Sequence, residues 1–458
     1  MAGPGDPPLL GWLGILRLGL VQTALGAVVV LTTSAINRVM VVELALAATV
    51  PGLLVGLHYA MQLLRPRMGH GSDVGGRRTP WIIGGTAVLA LGGTGAAVSV
   101  AVVEAAGLAA GLAVAALAFL LIGAGIASAG TSLLVLLAAR VAPERRAAAA
   151  SLVWIMMIAG FVVTTAVASR LLDPYSPFRL VAVSAGVCIL AFLLASAAVW
   201  GVEPRRRPVP EAAAAEPAPA AAGRPAFKDA LRQVWAEPDA RRFAVFVFVS
   251  MLAYSAQDLV VEPYGGAVFA LTLGETTRLA SVQHAGVLMG MVAVALLGSA
   301  RARGDRAGRL RRLTVGGCIG AGLAVLCLGA LGMLGEARPL AAICFMVGLG
   351  DGVFVAAAIA LMMNLAGRDG EERAGLRMGV WGAAQAIAFG LGGLVGTAAV
   401  DAARYALGAP SPAYALVFAA DALLFLWSAR LAVRIGSAAA AGDEPAHSAA
   451  RRLGTRPA

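Results

Sequence analysis

The sequence predicts an all-α, polytopic membrane protein whose twelve transmembrane helices form two pseudo-symmetric six-helix bundles. Three observations carry this: a large apolar excess, a six-plus-six spacing of membrane-length runs, and arginines gathered in alternate loops. Of 458 residues, 59% are hydrophobic and 13% charged, whereas soluble domains hold about 45–50% apolar and about 25% charged residues. The net charge of +11 does not point to nucleic acid, because the arginines sit in short segments between apolar runs, where positive charge sets membrane orientation. No nucleic-acid partner is expected; the lipid bilayer is.

A spanning helix needs about 20 mainly apolar residues. The first half supplies runs near 13–36, 42–64, 81–103, 106–139, 150–172 and 178–202, and the second near 241–270, 279–300, 312–334, 339–366, 376–400 and 411–436. Between them, Glu203 to Ala240 is rich in Pro and Ala and reads as a linker, with Phe227, Leu231, Val234 and Trp235 on one face of a short interfacial helix. The domain reading is therefore 1–202 for the first bundle, 203–240 for a cytoplasmic linker, 241–436 for the second bundle and 437–458 for a disordered cytoplasmic tail. Loops after even-numbered runs hold sixteen arginines and those after odd-numbered runs six, which predicts that both termini are cytoplasmic. Residues Met1 to Leu10 show no basic region before the first run, so that run is expected to be retained rather than cleaved.

Between the second and third runs, Gly69-His70-Gly71-Ser72-Asp73-Val74-Gly75-Gly76-Arg77-Arg78 spells G-x-x-x-D-x-x-G-R-R. Glycines permit a tight turn, and one acid with two arginines can latch adjacent helix ends. The segment resembles the loop motif of major facilitator superfamily transporters, which makes Gly69, Asp73, Gly76, Arg77 and Arg78 candidate gating residues. Asp305-Arg306-Ala307-Gly308-Arg309 repeats part of it after the eighth run, and Val41-Val42-Glu43 is echoed by Val260-Val261-Glu262. Duplicated halves of this kind place a substrate site at their interface near mid-membrane.

Charged groups inside a membrane cost about 2.5–3.5 kcal/mol each on insertion scales, so they face a cavity or a partner. Asp258 and Glu262 stand at i and i+4 in the seventh run, beside Tyr254 and Gln257, and read either as a substrate or proton site or, for Glu262, as an interfacial ion pair with Arg38 in which Pro263 and Gly265-Gly266 end the helix. Asn37, Arg38 and Glu43 at the end of the first run are the counterpart cluster. Asp351, flanked by Gly350 and Gly352, reads as a proton carrier or a packing residue. His58 and His284 are the two histidines within apolar runs, one per half, and a neutral imidazole is an axial ligand for a metal in a macrocycle; each is equally a helix-to-helix hydrogen-bonding group.

Several chemistries are excluded. Lys228 is the only lysine and lies in Phe227-Lys228-Asp229, so no phosphate-cradling G-x-x-x-x-G-K-[ST] loop exists and no nucleotide is expected. Cys188, Cys318, Cys327 and Cys344 are scattered without C-x-x-C spacing and read as small core residues, with no disulfide or resident metal. No hydrolase or metalloprotease constellation appears, so the chain is not read as an enzyme. The fifth run also lacks the G-x-x-x-G-P element of drug and proton antiporters.

Asn37-Arg38-Val39-Met40-Val41-Val42-Glu43-Leu44, Gly69-His70-Gly71-Ser72-Asp73, Arg241-Arg242-Phe243, Gln257-Asp258-Leu259-Val260-Val261-Glu262-Pro263-Tyr264-Gly265-Gly266 and Gly379-Val380-Trp381-Gly382-Ala383-Ala384-Gln385-Ala386 together resemble the PucC/LhaA-type branch of the superfamily. In this chain Ala139-Arg140 stands where that branch would have Thr-Asp. The resemblance implies a light-harvesting complex assembly factor in the bacterial inner, intracytoplasmic photosynthetic membrane, binding bacteriochlorophyll as cargo and delivering it to antenna polypeptides. His58, His284 or Gln257 would then be the magnesium ligand. Two other readings stay open: a proton-coupled secondary transporter of a small solute, using Asp258, Glu262 or Asp351, and a pigment-free assembly scaffold.

Overall fold

A computed structural model describes residues 9–65, 68, 77–142, 145–203, 235–299, 306–366 and 371–435. Among them there are helices and turns but no strands. Helices α1 (Trp12–Leu31), α2 (Thr49–Met61), α3 (Thr79–Ala106), α4 (Leu108–Arg140), α5 (Arg146–Leu171) and α6 (Pro177–Val199) form the first half. The second half comprises α7 (Pro238–Phe269), α8 (Leu273–Ser299), α9 (Arg306–Leu334), α10 (Leu340–Ala366), α11 (Glu371–Leu407) and α12 (Pro410–Val433). Eleven of these segments are long and apolar enough to cross a membrane, and the shorter apolar helix Thr49–Leu64 makes the twelfth. The chain is a multi-pass membrane protein.

The packing shows the duplication. In the first half α3 lies on α4 and α6, α1 on α5 and α6, and α2 on α4; in the second, α9 lies on α10 and α12, α7 on α11 and α12, and α8 on α10. The halves meet through the pairs α5–α8 and α2–α11, which the same pseudo-two-fold exchanges. One apolar core, around Leu89, Phe119 and Ile122, fills the first half, and another, around Phe243, Phe354 and Phe418, fills the second. We term the face bearing the α1–α2, α5–α6, α7–α8 and α11–α12 turns the distal face.

Local chemistry explains the boundaries. Gly107 alone joins α3 to α4, with φ at 90°, a backbone that side chains rarely adopt. Ser176 caps α6 by accepting from the Arg179 N–H, with Pro177 in the first turn. Two of the segments that carry the resemblance touch here: Phe243 lies 4.6 Å from Trp381 between ring centres, and the Trp381 indole N–H donates to the Ala240 carbonyl at 3.1 Å. In a third, the Tyr264 hydroxyl donates to the Leu328 carbonyl of α9.

The structure corrects several expected boundaries. The first span does not stop at 36: α1 continues through π-helical turns Thr32–Ile36 and Val39–Glu43, so the second span begins at Thr49 instead of 42. At 1.5 Å per residue, Thr49–Leu64 is about 24 Å long, short of a bilayer core of about 30 Å. Helix α8 starts at Leu273, six residues early, and α11 runs from Glu371 to Leu407, past both expected ends. Pro263 and Gly265-Gly266 lie inside α7, which continues to Phe269. Cys327 is exposed, unlike the other three cysteines, which are buried. The linker helix expected over 227–235 and the C-terminal tail fall almost wholly outside the described residues.

Candidate functional site

A π-turn hydrogen-bonds i to i+5, which brings residues five apart onto one face. Arg38 and Glu43 are so placed and form an ion pair, the arginine 3% exposed and the glutamate side chain 32%. The Arg38 guanidinium also donates 2.7 Å to the Leu271 carbonyl in the α7–α8 turn. This corrects the pairing of Arg38 with Glu262: the wide π-turn supplies Glu43 from the same helix. Asn37, buried beside it, donates from Nδ2 to the Leu259 carbonyl at 2.9 Å, so α1 is stitched to α7 across the halves.

Asp258 and Glu262, one helical turn apart, line a cleft between the halves together with Thr33 and Ser34 of the first π-turn, Val261, and Ala280, Gln283 and His284 of α8. His284 is buried, and its Nδ1 lies 2.7 Å from the Ala280 carbonyl. A carbonyl only accepts, so Nδ1 carries the proton and Nε2 keeps a lone pair. Phe161 of α5 packs edge-on to the imidazole with ring centres 5.0 Å apart. The cleft volume is ≈ 10 Å³, room for about one water. Pockets for drug-sized ligands hold about 300–1,000 Å³, so a macrocycle can enter only if the halves part.

The other predicted residues go elsewhere. Gln257 points into the second half, where its amide donates 2.5 Å to the fully buried Asp351 of α10. Tyr254 packs between Phe354 and Phe389, with ring centres 6.4 and 5.7 Å away. His58 is buried away from the cleft: its Nε2 lies 3.1 Å from the Gln62 amide nitrogen, and its Nδ1 has no hydrogen-bond partner. Of the three candidate ligands His58, His284 and Gln257, only His284 lines this cleft. Gly69, Asp73 and Gly76 lie outside the described residues. Of the same motif, Arg78 donates its backbone N–H to the Glu203 carboxylate at 2.9–3.0 Å, as does the adjacent Thr79 at 2.9 Å, and Arg77 directly precedes them.

Sequence reasoning missed Thr33, Ser34 and Gln283, small or neutral groups that nothing separates from packing residues. It also missed Asp421 of α12, buried with both carboxylate oxygens unpartnered, although a lone acid in an apolar run was a legible signal. Among the described residues no cluster of three or more His, Cys, Asp or Glu side chains fits a metal ion.

The profile of the PUCC protein family matches residues 35–440, nearly the whole two-bundle body and the α7 and α8 walls of the cleft. The chain belongs to the PUCC protein family. A Rhodobacter capsulatus relative named bacteriochlorophyll synthase 44.5 kDa chain is 49% identical over 439 residues, covering 95% of this chain and 98% of the relative. Protein PucC of Cereibacter sphaeroides is 32% identical over 443 residues, 90% of each chain. Among solved structures, an inward-facing, unoccupied bacterial homologue of the human lysosomal transporter Spinster superposes with a TM-score of 0.60 at 15% identity, over 93% of this chain and 95% of that one. The peptide transporter POT in complex with sulfate gives 0.62 at 14% identity, over 94% and 97%. At such identity the likeness shows the fold, that of the major facilitator superfamily, and this PUCC-family chain carries it throughout.

Proposed function

We propose that this PUCC-family protein binds bacteriochlorophyll between its halves and delivers it to antenna polypeptides of a light-harvesting complex, in the inner photosynthetic membrane with both termini cytoplasmic. Its function is photosynthesis-related, and its transporter-type fold and PucC-named relatives point away from an enzyme despite the word synthase in one relative's name. The observation that carries the delivery reading is His284. Its Nδ1 is tethered to a backbone carbonyl, which fixes the ring and leaves Nε2 as the lone-pair nitrogen in an inter-half cleft; hydrogen bonds of this kind orient metal-ligating histidines. The magnesium of the pigment would take that nitrogen, and the apolar tail would stay in lipid. Purification from a pigment-making host should yield near-infrared absorbance that His284→Ala cuts about tenfold. A wild-type preparation without pigment would overturn the reading.

The second reading, proton-coupled transport of a small solute, is favoured by Asp258 and Glu262, a pair of carboxylic acids lining the same cleft. Loss of proton-dependent uptake in vesicles on Asp258→Asn would support it. A pigment-free scaffold instead predicts that antenna assembly survives His58→Ala and His284→Ala together.

A further inference from the structure

On the distal face, two carboxylates reach across the interface and cap helices of the opposite half. Asp401 of α11 accepts from the N–H groups of Ala48 and Thr49 at 2.9 and 2.7 Å and from the Thr49 hydroxyl at 2.6 Å, all at the start of α2. Asp173, just beyond α5, accepts from the Thr272 hydroxyl at 2.6 Å and the Gly274 N–H at 2.8 Å, at the start of α8. The pseudo-two-fold that exchanges the halves also exchanges these contacts, since α11 and α2 correspond to α5 and α8. In each case both carboxylate oxygens are used, a threonine hydroxyl takes part, and the acid and the helix end belong to different halves. Glu203, by contrast, caps α3 from just beyond α6, without crossing between the halves.

We infer that Asp173 and Asp401 form a double latch that holds the distal mouth of the inter-half cleft shut, and that both caps must release before the halves part there. The inference does not depend on what the cleft carries. Peptide N–H groups at a helix start have no partner within the helix, and the positive end of the helix dipole favours a carboxylate. Parting the halves strands both donors and acceptors, so the closed state persists until a cargo or partner favours the open one by more than that loss.

The test is a spin-label distance in nanodiscs, in a chain whose exposed Cys327 is replaced. Labels at Phe178 and Tyr405, 84% and 94% exposed at the distal ends of the two halves, report the mouth, and labels at Phe178 and Leu108 report the first half alone. Wild type should give one short mouth distance. Asp401→Ala should raise the ratio of long to short distances about fivefold to tenfold and Asp173→Ala by less than about fivefold, and the double variant about the product of the two, with the within-half distance unmoved. A double variant with the wild-type mouth distribution overturns the latch. Should the alanine double variant fail to fold, Asp173→Asn with Asp401→Asn keeps acceptors at both sites; a smaller shift supports the latch, and no shift overturns it.

Discussion

Helices α2 and α8 occupy corresponding places in the two halves, yet their histidines do different work. His284 hangs from its own helix by Nδ1 and faces a cleft with Asp258 and Glu262. His58 is pressed against α4, where its backbone carbonyl meets Gly123, and Gln62 engages its Nε2. Their helix starts differ as well. Helix α8 has a capping box of its own, with Thr272 and Glu275 exchanging hydrogen bonds at 2.8 and 3.2 Å, whereas α2 begins at Ala48, which has no side chain able to cap. Duplication preserved the packing of these helices and not their chemistry: one carries the candidate ligand, and the other depends on the opposite half for its end.

The largest break in this comparison should come from the glycines beneath α8. A Cβ at Gly348 would overlap the backbone of Gln283, and one at Gly352 that of Val287, so neither neighbour can yield by a rotamer change. Gly348→Val should destabilise the protein by about 3 kcal/mol, the upper end for overpacking, and lower its unfolding temperature in detergent while dispersing the cleft. Next is the histidine contrast. His284→Ala should cut pigment retained per mole of protein about tenfold, equivalent to about 1.4 kcal/mol of binding, while His58→Ala leaves retention within about twofold on the same scale. Equal losses would mean that the two halves share the ligand role. Smaller again is the difference between the caps: Asp401→Ala should cost about 1–2 kcal/mol and Asp173→Ala less than about 1 kcal/mol of folding stability, because only α8 retains a cap of its own.

How far these features were legible depends on the scale at which the chain records them. Run length and arginine placement gave twelve helices in two halves, since both follow from bilayer thickness and orientation. The start of α2 was not legible, because residues 39–64 are almost continuously apolar and the break falls at Ala45, a residue without turn character whose φ is 49°. Asp258 and Glu262 shared a face by their spacing and do share the cleft. Gln257 was grouped with them, but successive helix residues point about 100° apart, and that rotation sends it to Asp351. The Arg38–Glu43 pair depends on a π-turn, for which the sequence carries no mark. Nothing in the sequence marks Asp173 or Asp401; only the tertiary contact gives them a role.

The smallest expected effect concerns Glu203, the carboxylate that caps a helix within its own half and so serves as the reference for the two that cross. Partial burial by itself raises its pKa, but the N–H groups of Thr79 and Arg78, the Thr79 hydroxyl and the nearby Arg77 charge outweigh that and hold it below the usual glutamate range. A carboxyl depressed on folding contributes stability above its unfolded pKa of about 4.3 and loses it as the pH falls through the lower folded value. The unfolding temperature should therefore carry a Glu203 component that is constant from neutral pH down to about pH 5 and declines below about pH 4.3. Glu203→Gln should lower the neutral-pH plateau slightly and flatten the acid limb. If the acid limb keeps its full slope in that variant, the carboxylate at the start of α3 is not what titrates.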